Sequence, residues 1–203
     1  MASKITTAIG QSNFELIRDR ICTILAEEIT AQSTILSKPE LKATVWNERT
    51  VPFDFTNCPA INVLFSRANA NAYFPKENVY INTFFIDIYT SDKTNSTTDG
   101  GTRSTWKLHR LAGIVRAILE NPIYRTLDFT PPSIETTSVT DISIADPKPN
   151  QDGANIMMGR LTFTVQCRET TELKTAVALG GATTQIKMSE TNEGYFYEIQ
   201  IGD

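Results

Sequence analysis

The segment Leu161–Cys167 alternates apolar and polar side chains without a break, and this pattern restricts the fold more than any other part of the chain. A strict period of two predicts a β-strand with one apolar face and one polar face. Other elements have to cover the apolar face, because its contact with water is unfavourable. The pattern therefore predicts a sheet with one buried side and one polar side.

Two amphipathic helices are predicted to cover the apolar side of that sheet. The first spans Phe14–Ile29 and the second about Thr105–Glu120, and in both the apolar residues recur with helical spacing. Ser12 or Asn13 is placed to cap the first helix, because either side chain accepts hydrogen bonds from free backbone amides. For the same reason Ser104 or Thr105 is predicted to cap the second.

Further strands are predicted from β-branched and aromatic runs, and the 28 threonines of the chain favour a sheet-rich protein. These strands are Ala43–Trp46, Ile61–Phe65, Val79–Tyr89 and Ser138–Ile144. The third carries apolar side chains on both faces and is expected in the centre of the sheet. Three polar segments between the elements are predicted to be loops: Arg67–Glu77, Ser91–Ser104 and Asp146–Gly153.

These elements predict an α+β fold over residues 1–168, with a mixed β-sheet and two amphipathic helices packed on one of its faces. Residues 169–203 are predicted to form a C-terminal extension that contains a β-hairpin, with strands Thr184–Met188 and Tyr195–Ile201. An isolated hairpin is only marginally stable in water, so this one has to dock. We expect it to dock on another subunit, and the alternative is an extra edge strand on its own sheet.

Overall composition excludes several classes of protein. The 203 residues carry 19 Lys and Arg against 23 Asp and Glu, which gives a net charge of −4 and argues against a tight nucleic-acid binder. No apolar run is long enough to span a bilayer, and the N-terminus has no apolar signal-peptide core. We expect a protein that neither crosses the membrane nor is exported.

The chain has few of the residues and motifs that usually serve in catalysis, metal binding or phosphate binding. His109 is the only histidine, and Cys22, Cys58 and Cys167 have no metal-ligand spacing, so we expect three buried cysteines and no metal. Asp87 interrupts an apolar strand; we expect an ion pair there rather than a catalytic acid, because no second carboxylate stands at matched spacing. The Gly100-Gly101 pair precedes a helix but lacks the Gly-Lys-Ser/Thr core of a phosphate-binding loop. The sequence predicts no catalytic residue and no cofactor.

Two groups of residues are candidates for contact with partners. Arg103, Lys107 and Arg110 fall on one face of the second helix, where they can meet an acidic neighbour or simply remain solvated. In the C-terminal hairpin, aromatic and aliphatic residues of the kind enriched at interfaces lie on one side. They are Tyr195, Tyr197, Ile199 and Ile201.

The order of these elements resembles that of the tail terminator (tail completion) proteins of tailed bacteriophages. Three segments carry the resemblance: the Pro-Ala-Ile-x-Val strand at Pro59–Val63, the mid-chain helix Lys107–Leu119 and the final alternating strand Gly159–Cys167. The resemblance covers roughly Phe14–Arg168 and rests on the pattern of elements. Members of this family are not enzymes, so it implies no catalytic residue.

The resemblance implies a homohexameric ring that caps the head-proximal end of the tail tube and joins the tail to the neck. It implies further copies of the chain, the tail tube protein and a neck or connector protein as partners, with the tail sheath as a further one. It further implies that DNA only passes through the lumen, that no membrane is involved, and that the protein is assembled in the host cytoplasm into the virion. The alternatives are another neck or head–tail connector subunit, and a small hydrolase or transferase that uses Asp87 or the Gly100-Gly101 loop.

Overall fold

The computed structural model describes residues 8, 10–73, 77–94, 99–129, 133–149, 154–170, 185–191 and 194–200. The chain divides into two compact units, of which the larger is Gly10–Glu172 and the smaller contains the C-terminal hairpin.

A five-stranded mixed sheet forms the centre of the larger unit. Its strands are β1 (Thr44–Asn47), β2 (Ala60–Tyr73), β3 (Glu77–Lys93), β4 (Ile134–Pro149) and β5 (Ala154–Thr170). They are arranged in the order β1-β2-β3-β5-β4. The β1–β2 pair is parallel and the other three pairs are antiparallel. The expected central position of the third strand is confirmed, since β3 lies in the middle of the sheet.

Two helices cover one face of this sheet, which we call the inner face. Helix α1 (Asn13–Ile35) packs over β1 and β2, and helix α2 (Gly100–Leu119) packs over β3 and β5. Leu161, Phe163 and Val165 of β5 point into this core and are fully buried, as their alternation predicts. The predicted α+β fold with two helices on one face is therefore confirmed.

The N-terminal cap of α1 was predicted correctly, and that of α2 was not. Ser12 caps α1 in a capping box, in which its backbone N–H donates to Glu15 Oε2 at 2.7 Å. Helix α2 begins at Gly100, and its cap is Asp99, whose carboxylate accepts the Thr102 N–H at 2.9 Å. The prediction of Ser104 or Thr105 as the cap was wrong. Asp99 already satisfies a free amide one turn earlier, and Ser104 is buried inside the helix.

The predicted loop Arg67–Glu77 is also wrong, because β2 continues to Tyr73 and β3 starts at Glu77. The backbone here is satisfied by hydrogen bonds between β2 and β3, which require no alternation of apolar side chains.

Two other predicted loops are shorter than expected, because the strands and the helix that flank them extend into the polar segments. In Ser91–Ser104, β3 runs to Lys93 and α2 starts at Gly100, while residues 95–98 lie outside the described residues. In Asp146–Gly153, β4 runs to Pro149, and residues 150–153 lie outside them as well.

The connection between β1 and β2 covers part of the outer face, the side of the sheet away from the helices. The Arg49 N–H donates to Asn62 Oδ1 and Asn62 Nδ2 donates to the Arg49 carbonyl, both at 2.9 Å. Phe53 stacks on Tyr89 of β3 with the ring centres 4.5 Å apart. This connection therefore covers the outer face around Asn62 and Tyr89.

The C-terminal hairpin consists of β6 (Gln185–Thr191) and β7 (Gly194–Gln200), which pair antiparallel. The hairpin forms a two-stranded sheet of its own, so it adds no strand to the five-stranded sheet in the part of the chain that is described. Its predicted contact with another subunit stays a prediction. None of the described helices has the length and hydropathy that crossing a membrane requires.

Candidate interaction surfaces

Asp87 is held in the ion pair that its position in an apolar strand predicts. Arg160 donates to Asp87 Oδ1 from Nε at 2.6 Å and to Oδ2 from Nη2 at 2.8 Å. The Asp87 side chain is 2% exposed, and the guanidinium of Arg160 lies 4.3 Å from the ring centre of Phe85. The hydrogen bond to Asp87 raises the pKa of Arg160. Both carboxylate oxygens are thus engaged by a permanent cation, and this group is poorly suited to transfer a proton.

The three cysteines are free thiols, but only Cys167 is buried. The expectation of burial was wrong for Cys22 and Cys58, which are half-buried. Burial nevertheless raises the pKa of Cys22 to about 12 and that of Cys167 to about 11. A thiol with such a pKa is protonated at neutral pH and is a weak nucleophile and metal ligand.

Neither a metal site nor an anion site is favoured by the geometry. Within the described ranges, no group of three or more His, Cys, Asp and Glu side chains is placed to hold a metal ion. At the start of α2, the Asp99 carboxylate accepts the N–H of Thr102. A negative charge therefore already lies where a phosphate would have to bind.

Two of the three predicted basic residues hold α2 against the end of β3. Arg103 Nε and Lys107 Nζ lie 3.1 and 2.9 Å from Asp92 Oδ2. Burial by itself raises the pKa of Asp92, but the hydrogen bond from Lys107 and the charges of both cations outweigh it, so the pKa is lowered. The Asp92 side chain is only 13% exposed. Arg103 and Lys107 therefore have a structural role in the subunit itself.

Arg110 is separate from these two residues and lies in a groove between α1 and α2. The groove has a volume of about 360 Å³, and its lining includes Gly113, Ala117 and Ile123. Ile123 is 73% exposed. Arg110 and its neighbour His109 are exposed, and Arg110 forms no ion pair with a described residue. Of the predicted stripe, only Arg110 is fully available to a partner.

Trp106 was missed in the sequence although it lies next to the predicted basic residues. Its side chain is 52% exposed, and Lys38 Nζ lies 4.8 Å from the centre of its ring. Trp106 stands three residues after Arg103, and this spacing alone places it on the same face of α2. Tryptophan and arginine are the residues most enriched in binding hot spots. We call Lys38, Arg103 and Trp106 the Trp106 surface.

The edges of the five-stranded sheet form a second kind of candidate surface. β1 pairs with β2 only over Ala60–Val63, so the later part of β2 has β3 as its one described partner. Residues 67–71 of β2 are exposed on both faces. At the opposite edge, β4 pairs with β5 alone within the described residues, and its Ile142 and Ile144 are 40% and 44% exposed. Unpaired strand edges readily accept another strand.

The hairpin candidates lie in the smaller unit. Tyr195, Tyr197 and Ile199 occupy alternate positions of β7, opposite Glu190, Met188 and Ile186 of β6. Ile201 lies outside the described residues.

No protein-family model matches the chain, and no curated protein matches it significantly.

Proposed function

We propose that this protein is a structural component of a bacteriophage tail. In this proposal it is a tail terminator, which forms a ring of identical subunits, caps the head-proximal end of the tail tube and joins it to the neck. One observation carries the proposal: two helices pack on one face of a mixed sheet, in the element order that the resemblance implies.

The chemistry of the described side chains supports an interaction protein over a small hydrolase or transferase. Asp87 is bound by Arg160 through both carboxylate oxygens. Beside the Gly100-Gly101 pair, the Gly100 amide donates to Thr94 Oγ1 and the Thr102 amide to Asp99. The two features on which the enzyme alternative depends are therefore occupied by contacts within the chain.

The distribution of exposed features supports assembly. The Trp106 surface and the groove at Arg110 both lie along α2, whereas the two sheet edges are formed by β2 and β4 on opposite sides of β3 and β5. A ring subunit needs two different surfaces that fit each other, because each copy contacts one neighbour on either side. It also needs surfaces for the components above and below the ring.

The net charge is compatible with DNA passing through such a ring. Each copy carries −4, so six copies carry −24. A channel without excess positive charge does not retain phosphates by counterion release, and the genome can move through it.

The test is the mass and shape of the purified full-length chain, followed by its binding to tail tubes. Native mass spectrometry is expected to give a mass of about six subunits, and negative-stain class averages are expected to show a ring with a central opening. Purified tail tubes are expected to carry this ring at one end. A chain that stays monomeric with and without tail tubes would overturn the proposal, and so would a ring that binds a connector but never a tube.

A further inference from the structure

We propose that neighbouring copies join through their sheet edges, with the later part of β2 (after Val63) in one copy paired antiparallel to β4 in the next. This proposal rests on the ring assembly of the proposed function and names the surface that forms it. The partner is a second copy of this chain, and the two edges match in direction, charge and side-chain size.

The directions of the strands permit this pairing. β2 is antiparallel to β3, β3 to β5, and β5 to β4, so β2 and β4 run in opposite directions. When two copies stand side by side in the same orientation, β4 of one therefore meets β2 of the other as an antiparallel neighbour. In the described part of the chain both edges are available, since β1 leaves β2 uncovered after Val63 and β4 is the last strand of the sheet.

Opposite charges stand on the outer face of the two edges. Arg67 of β2 pairs with Thr83, and Asp141 of β4 pairs with Thr162. Both threonines immediately neighbour residues of the inner face, Phe84 and Phe163, so they point to the outer face. Arg67 and Asp141 are exposed, and neither forms an ion pair within the described parts of the chain. Among the residues whose side chains are described, Arg67 on β2 and Asp141 on β4 are thus unused charges of opposite sign.

Side-chain sizes match on the inner face of the same edges. Ile142 pairs with Leu161, which points into the core, and Ile142 is 40% exposed. On β2, Ala68 pairs with the buried Asn82 and is itself exposed on this side. Ala70 lies two residues further along and is exposed as well. An antiparallel pair that places Arg67 opposite Asp141 also places Ser66 opposite Ile142 and Ala68 opposite Thr140, so the large Ile142 side chain meets a small residue.

A β-bulge precedes the charged residue on each edge. The register shifts between Phe65 and Arg67 in β2, and between Val139 and Asp141 in β4. Bulges twist an edge and disfavour indiscriminate strand pairing. In the antiparallel pairing proposed here the two bulges lie on either side of the Arg67–Asp141 pair.

Charge reversal tests the pairing. Arg67→Glu and Asp141→Arg are expected to raise the apparent dissociation constant of ring assembly about tenfold or more, because each places like charges opposite each other. The Arg67→Glu/Asp141→Arg double variant is expected to assemble like the original chain. An equimolar mixture of the two single variants is also expected to assemble, with alternating subunits and only even numbers of copies.

The matched control is Arg125→Glu, which makes the same charge change at an exposed residue after α2. It is expected to leave assembly unchanged, and urea unfolding of every variant establishes that the subunits remain folded. A second test uses the Arg67→Cys/Asp141→Cys variant, which is expected to give a ladder of disulfide-linked oligomers on oxidation, whereas either single cysteine variant stops at the dimer.

The outcomes separate this inference from the proposed function. Folded single variants that assemble normally, or a double variant and a mixture that both fail, would overturn the edge pairing and leave the tail role standing. Rings that respond to charge reversal as expected but never bind tail tubes would overturn the tail role and leave the edge pairing standing. Absence of rings and of a disulfide ladder would overturn both.

Discussion

Arg160 binds Asp87 through two parallel hydrogen bonds, of 2.6 and 2.8 Å, on the outer face of the sheet. The two partners differ in exposure: the Asp87 side chain is 2% exposed and that of Arg160 is 37% exposed. The carboxylate thus depends on the arginine for compensation of its charge, while the arginine retains access to water. Removing one partner or the other should therefore have unequal effects on stability.

Arg160→Met is expected to lower the free energy of unfolding by about 3 kcal/mol, because it leaves a buried carboxylate without a partner. Asp87→Asn is expected to cost less, about 1 to 2 kcal/mol, because the remaining arginine can be hydrated. Urea unfolding measures both values. Arg110→Met is the matched control, since Arg110 is exposed and should change stability by less than about 0.5 kcal/mol. Equal losses in the two test variants would contradict the unequal dependence.

The stability that the contact of Asp92 with Arg103 and Lys107 contributes is expected to be lost at low pH. Folding lowers the pKa of Asp92 below its ordinary value of 3.8. The contact therefore stabilises the folded state fully above pH 3.8, and this stabilisation is lost as the pH falls through the pKa that Asp92 has in the folded state. Asp92→Asn should therefore cost on the order of 1 kcal/mol at pH 7. The difference from the original chain should vanish in strong acid.

Unfolding curves at a series of pH values check this dependence on acid. Asp141→Asn serves as the control, because Asp141 is exposed and has no described ion pair. A difference between Asp92→Asn and the original chain that persists unchanged below pH 3 would show that the carboxylate charge is not its cause.

The two tryptophans are expected to differ in their access to quenchers. Trp106 is 52% exposed, whereas Trp46 is half-buried with the guanidinium of Arg49 4.4 Å from its ring centre. In a Trp46→Phe variant, acrylamide should quench the fluorescence of Trp106 strongly. In a Trp106→Phe variant it should quench Trp46 more weakly. Equal quenching in the two folded variants would argue against an open Trp106 surface.

Cys22 is expected to react slowly with alkylating reagents despite its partial exposure. Its pKa is raised to about 12 from an ordinary 9.0, a difference of three units, so its thiolate fraction at pH 8 falls by about 10³. Iodoacetamide labelling followed by peptide mass spectrometry measures the rate at this residue. The same reaction in urea gives the reference rate. Labelling of Cys22 in the folded chain at the reference rate would be the contrary result.

Truncation after Thr175 is expected to leave a folded subunit with weakened assembly. The larger compact unit ends at Glu172, and the five-stranded sheet contains no strand from the hairpin. The free energy of unfolding should change by less than about 1 kcal/mol, because the core of the larger unit is retained. Circular dichroism and native mass spectrometry measure the two properties separately. A truncated chain that fails to fold would place the hairpin in the core of its own subunit.

Side-chain periodicity was sufficient to predict the elements that bury one face. The alternation in Leu161–Cys167 and the helical spacing in both helices correspond to real boundaries between core and surface. The later part of β2 has no such boundary, because residues 67–71 are exposed on both faces and only backbone pairing holds them. A strand of this kind leaves no periodic signal in the sequence.

The environment of individual residues was harder to predict than the elements. Ile142 and Ile144 alternate as buried residues would, yet they are exposed because β4 is the last strand of the sheet. The position of β4 beside β5 rather than β3 depends on pairing between distant segments, which no local pattern encodes. The ion pairs of Arg103 and Lys107 with Asp92 could not be predicted for the same reason.

The close backbone packing around Gly100 predicts how mutations at this residue would behave in a genetic screen. A Cβ atom at this residue would lie 2.6 Å from Thr94 N and 2.7 Å from the Lys93 carbonyl carbon, both of them backbone atoms. Even alanine would therefore push the first turn of α2 away from β3 and displace Arg103 and Trp106 with it. If the proposed assembly role holds, a screen for conditional-lethal alleles would recover such a change as an assembly defect, although the altered residue is itself buried.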